Sequence, residues 1–196
     1  MAAATAEAGQ PGPSRRLPGV EGVWVFAFLD MAVFALMFGC FMWDRQQAPA
    51  LFEAGRQALS LDFGGINTLI LLTSSMLVVL GIEALRHGRP RLAPGCFAAA
   101  AACGLAFGVS KVMEYGQKFE AGIGLTTDAF FQYYFIMTGL HLGHVVVGTG
   151  VVAVLAAKAR TAQPGDSLAL YEGGATYWHM VDLLWVCIFP LLYLVR

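Results

Sequence analysis

The chain has 196 residues, 58% of them hydrophobic and 13% charged, with a mean hydropathy of +0.65. That composition excludes a water-soluble domain with a polar surface, and equally a disordered chain. A net charge of −1 leaves no basic face for nucleic acid and no charge excess to recruit an acidic partner.

Residues 1–18 are rich in Ala, Gly and Pro and read as a disordered N-terminal tail, leaving 19–196 as one membrane domain. Arg15 and Arg16 before an apolar run resemble a twin-arginine signal. The run is too long for a signal's hydrophobic region and carries Asp30, so it is read as an uncleaved first span, residues 20–43. A polar loop is expected from 44 to 63. The second span, 64–85, is uncharged until Glu83, and the link to the third turns at Gly88 and Pro90. The third span, 93–117, accepts Pro94 in its first turn, where the missing N–H has no intrahelical partner. Thr127 or Asp128 can cap the fourth, 129–157, which has no Asp, Glu, Lys or Arg. After a loop containing Pro164 and Gly165 comes the fifth, 173–195, in which Asp182 is the one formal charge. Each run meets the roughly 20 apolar residues that a bilayer core requires. Pro190 lies inside the last and should weaken or bend its final turns. The expected fold is all-α, an integral membrane bundle of five transmembrane helices.

Positive charges give the orientation. Arg15, Arg16, Arg86, Arg89, Arg91, Lys158 and Arg160 fall on one side. Arg45, Arg56, Lys118 and Arg196 fall on the other, with Lys111 as a possible fifth. The bias predicts a cytoplasmic N-terminus and an outside C-terminus. Gly104 and Gly108 on the third span, and Gly139, Gly143 and Gly148 on the fourth, allow close helix approach and favour a compact bundle over a loose pore. The four cysteines form no CxxC pair and read as small packing residues.

The functional information lies in polar residues at membrane depth. Asp30 is either a proton-exchanging carboxylate or a hydrogen-bonded acid that pins one helix to another; the second reading is preferred. Lys111, Glu114 and Lys118 make a stripe at the exit of the third span, with Glu114 and Lys118 in the favourable order for an ion pair. His141 and His144 share a helix face. So do His179 and Asp182, with Glu172 at the start of the same helix. Together His141, His144, His179 and Asp182 could hold a metal or haem. The Glu-x-x-His pairs of di-iron bundles are absent, and interhelical hydrogen bonding is the favoured reading. No catalytic set of acid, base and nucleophile is expected, and no resident cofactor or metal.

Three motifs in order carry a family resemblance: NTLILLTSS at 67–75, TGLHLGHVVVG at 138–148 and YWHMVDLLW at 177–185, with Glu114-Tyr115 in support. The chain resembles subunit III of the haem–copper oxidases in a short, five-helix form that lacks the first two helices of the long form. It looks most like the NorE-type accessory proteins of nitric oxide reductase, on the strength of Asp30 and the 67–75 wording. The resemblance runs from Leu17 to Arg196. It implies a subunit without haem or copper that packs beside a catalytic haem–copper subunit, of nitric oxide reductase or cytochrome c oxidase, in a bacterial inner membrane. It also implies that Asp30 matches a carbodiimide-reactive carboxylate near proton entry. The long form's lipid-filled cleft would lack one wall here. Two other functions are weighed against an accessory subunit: an independent intramembrane metal or haem protein, and a proton or solute conductor through Asp30. The lack of an internal repeat disfavours the conductor.

Overall fold

A computed structural model describes residues 21–163 and 166–195. The elements are α1 (Glu21–Gln47), α2 (Pro49–Gln57), α3 (Leu61–Arg86), α4 (Ala93–Glu120), α5 (Ala129–Ala159) and α6 (Ala169–Phe189), closed by a π-helical turn at Pro190–Leu194. The expected tail, Pro164, Gly165 and the charges Arg15, Arg16 and Arg196 lie outside the described residues.

Five helices are long and apolar enough to cross a membrane: Gly22–Gln47, Leu61–Arg86, Ala93–Glu120, Ala129–Ala159 and Ala169–Leu194. The shortest, 26 residues, reaches about 39 Å at 1.5 Å per residue, past a hydrocarbon core of about 30 Å. The helices overrun most of the apolar windows because polar flanking residues continue the backbone pattern into the interface. The outward surface is apolar, with Leu36, Phe28, Leu69, Leu105 and Val146 among its most exposed side chains. Cys40 and Cys187 are exposed there too, so only the half-buried Cys96 and Cys103 meet the packing expectation.

The local signals act as their chemistry requires. Asp128 caps α5, its Oδ1 accepting from Phe131 N at 2.9 Å, whereas the Thr127 hydroxyl accepts from Gly124 N. Gly88 takes φ +66°, so the α3 carbonyls of Ala84 and Leu85 can receive Arg89 N and Gly88 N. Pro190 has no N–H to donate, and α6 widens there: Val195 N bonds to Pro190 O, five residues back.

The stretch expected to be a polar loop, 44–63, contains α2. Pro49 starts the helix, and Phe52 is buried against Phe41 and Phe130 at ring distances of 5.2 and 5.9 Å. Glu53 and Arg56 pair beside it at 2.6 Å. One aromatic anchor is too little to register as a helical period in nine residues, so the sequence hid this element.

Helices α3, α4, α5 and α6 pack in a closed ring, each against its two neighbours. Helix α1 lies outside the ring, against α6 and α5. A groove of about 1060 Å³ opens beside α1, with Phe26, Gly143, His144, Val147, Gly174 and Tyr177 in its walls. Gly104 and Gly148 are among the close approaches inside the ring, where an added Cβ would meet the Trp178 ring at 2.9 and 2.7 Å. Gly108 and Gly139 have only ordinary contacts, with Leu142 at 4.0 Å and Tyr115 at 3.9 Å, and Gly143 has none, so only part of the small-residue pattern marks a close helix approach.

Candidate functional site

Polar side chains at membrane depth fall into three pairings, each joining different elements. The first ties α1 to α5. Asp30 Oδ1 lies 3.2 Å from His144 Nε2, with both side chains nearly buried, and the Phe26 and Phe34 rings flank the imidazole. His144 Nδ1 is 2.9 Å from the Leu140 carbonyl. A carbonyl only accepts, so Nδ1 carries a hydrogen and donates. That leaves Nε2 facing Oδ1 across the α1–α5 contact. Asp30 thus meets a side chain of another helix, the position a helix-pinning acid would take. The Tyr133 hydroxyl donates to Asp44 Oδ2 at 2.7 Å, a second tie of α1 to α5.

The second pairing lies where α4, α5 and the π turn meet. Lys111 and Glu114 are wholly buried, their Nζ–Oε2 distance is 2.8 Å, and Lys111 Nζ also reaches the Tyr134 and Tyr193 hydroxyls at 3.4 and 3.3 Å. Three donor positions meet three acceptors, so the ammonium is satisfied. The Tyr193 hydroxyl donates to Glu114 Oε1 at 2.7 Å, and the Trp185 ring lies 5.2 Å from Nζ. The expected Glu114–Lys118 pair is corrected: Glu114 turns inward to Lys111, and Lys118 donates to the Ala58 carbonyl after α2. The π turn accounts for Tyr193. A helix continued at 3.6 residues per turn would rotate that ring away from Glu114.

The third joins α3 to α6. His179 Nδ1 is 2.7 Å from Ser75 Oγ, and Ser75 also interacts with Asp182. Asp182 is buried, with Oδ1 unpartnered. Nearer the helix ends, Arg86 Nη2 binds Glu172 Oε1 at 2.8 Å. Ser74 donates to the Ala100 carbonyl and Trp185 Nε1 to Thr68 Oγ1, linking α3 to α4 and α6.

His141 stands apart from these. It is fully buried between Trp185, stacked at 5.3 Å, and Phe107, edge-on at 5.5 Å, and neither ring nitrogen has a partner among the described residues. The residues proposed for a metal site are therefore not brought together: His141 sits inside the ring, His144 on Asp30 and His179 on Ser75. Among the described residues no group of three or more His, Cys, Asp and Glu is placed to hold a metal ion. Sequence reading missed Tyr134, Tyr193, Asp44 and Tyr133, and gave Asn67 only as a motif residue. Aromatic hydroxyls scattered through apolar runs look like core, and only the fold puts them on charged groups. Asn67, fully buried inside α3, was the one visible signal.

A family model described as cytochrome c oxidase subunit III matches residues 20–195. Cytochrome c oxidase subunit 3 of Synechocystis sp. is 32% identical over 177 residues, covering 88% of this chain and 74% of that protein. The protein of the same description from Thermostichus vulcanus is 31% identical over 179 residues, 89% of this chain and 86% of its own length. In Aeropyrum pernix a protein described as heme-copper oxidase subunit I+III is 29% identical over 182 residues, covering 89% of this chain and 22% of that protein.

Proposed function

The chain belongs to the cytochrome c oxidase subunit III family, and from that premise we propose that it is a non-catalytic membrane subunit bound to the catalytic subunit of a haem–copper oxidase. The observation that carries this reading is how the ionisable groups are used. Asp30–His144, Lys111–Glu114 and Ser75–His179 each pair within or between helices and are not gathered around an ion or a reacting centre. Such pairs hold helices together where water is scarce. The Aeropyrum relative, named for both subunits in one chain, supports a catalytic partner.

The named relatives are oxidases, which supports an oxygen-reducing complex. A nitric oxide reductase complex of the NorE type is the second reading, favoured by Asp30 where oxidase subunit III usually has glutamate. We further propose a cytoplasmic N-terminal side. Arg86, Arg89, Arg91, Lys158 and Arg160 mark that end of the ring, and Lys111 drops out of the opposing count because it is buried.

Affinity-tagged chain, purified from its own membranes in mild detergent, tests the proposal. A haem-containing catalytic subunit should co-purify, and deleting the chain should lower turnover or stability of that complex. Oxygen against nitric oxide consumption by the purified complex separates the two readings. A chain that purifies alone, with stoichiometric metal or a visible absorption band, would defeat both.

A further inference from the structure

The ring has two opposite outer seams, and they differ in kind. Between α4 and α5 the seam is greasy, lined by Leu105, Val109, Val112, Leu142 and Val146. Between α3 and α6 it is polar: a groove of about 200 Å³ bordered by Glu83, Arg86, Glu172, Thr176 and His179. His179 lies ten residues into α6, about 15 Å from its start, and Ser75 lies eleven residues from the end of α3. Both are near the middle of a hydrocarbon core about 30 Å thick. Each is only partly buried, and His179 lines the groove. The imidazole's Nδ1 is taken by Ser75, while Nε2 has no partner among the described residues. An imidazole left open to lipid at that depth is unfavourable, and ionisable groups in spans face protein or water. Helix α1 does not supply the cover, because it packs on the α5–α6 side.

We propose that the α3–α6 seam is where the catalytic subunit docks, through a transmembrane helix with a hydrogen-bonding side chain opposite His179. The proposal rests on the accessory-subunit reading and adds the face to it. Charge fixes a second feature of the partner. Glu83 and Glu172 both face Arg86 in the groove wall, with Arg86 Nη1 3.9 Å from Glu83 and Nη2 2.8 Å from Glu172, and Glu83 Oε1 also lies 3.2 Å from His87 Nδ1 outside the groove. Glu83 is half exposed and its contact with Arg86 is long, so its carboxylate stays open to a partner's cation. A complementary helix carries a basic residue at the membrane edge. Glu172 and His179 are seven residues apart, so its hydrogen-bonding residue stands about 10 Å, two turns, deeper.

Two outward-facing valines make the test, since neither supports the core: Val79 on the groove wall and Val146 on the opposite seam. Val79→Trp should leave the melting of the isolated chain unchanged and lower co-purification of the catalytic subunit about ten-fold, the factor expected when a packed contact is overfilled. Val146→Trp should leave co-purification within two-fold. Glu83→Gln should lower retention about three-fold, the effect of one exposed ion pair. A benzophenone side chain at position 79 should cross-link to the catalytic subunit, and one at 146 should not. Cross-linking from 146 and not from 79 overturns the proposal, as do adducts from 79 with phospholipid alone. In either case co-purification of the parent chain keeps the accessory-subunit reading. A parent chain that captures no catalytic subunit ends that reading and this one with it.

Discussion

Deleting the Asp30 carboxylate should loosen α1 from the ring by an amount that can be bounded in advance. Helix α1 buries few side chains, chiefly Ala27, Phe34 and Phe41, and two polar ties add to them. One is Asp30–His144 at 3.2 Å, the other Asp44–Tyr133 at 2.7 Å. Asp30→Ala leaves His144 Nε2 facing the α1–α5 contact with nothing to bond. Polar side-chain pairs in membrane proteins average about 0.6 kcal/mol and reach about 1.7 kcal/mol, because the unfolded chain in a membrane also finds partners. A double-mutant cycle with Asp30→Ala and His144→Ala should therefore give a coupling of about 0.6–1.7 kcal/mol, read from detergent-denaturant unfolding followed by tryptophan fluorescence. Asp30→Asn should keep more than half of it. With Nδ1–H committed to Leu140, a neutral imidazole offers Nε2 as an acceptor, and the asparagine amide can donate to it. A coupling below about 0.3 kcal/mol, the ordinary error of additivity, would refute the view that this pair pins α1.

Lys111→Met or Glu114→Gln alone should cost about 3–5 kcal/mol in the same unfolding assay, since each strands a buried group; the double variant should recover much of the loss. Gly148→Ala should destabilise by about 1–3 kcal/mol through the Trp178 ring. Gly143→Ala, with no neighbour within 4 Å, should be neutral or stabilise by up to about 1 kcal/mol through helix propensity. Pro190→Ala ordinarily favours a helix, yet here it should lower the melting temperature by letting α6 close up and turn Tyr193 off Glu114. An unchanged or raised melting temperature would show that the π turn does not serve that contact.

Some of this molecule was written in its composition and spacing. Five apolar runs of bilayer length can do little but span, because backbone hydrogen bonds in lipid must close within each helix or a barrel. The same logic places Asp128 at a cap, Gly88 in a turn and irregular backbone at Pro190, all of which depend on a residue's own backbone and nearest neighbours. Spacing also put His141 and His144 on one face and raised the idea of a shared ligand set. Three residues along a helix differ by about 60° in direction, and that angle decides everything here. One ring enters the core against Trp185, and the other meets Asp30 on α1. Glu114 had two lysines within reach along its own helix; packing against Tyr193 from the end of α6 selected Lys111. Single-helix geometry thus carried the spans and their punctuation, while the interhelical partners of the buried polar groups waited on which helices the fold set side by side.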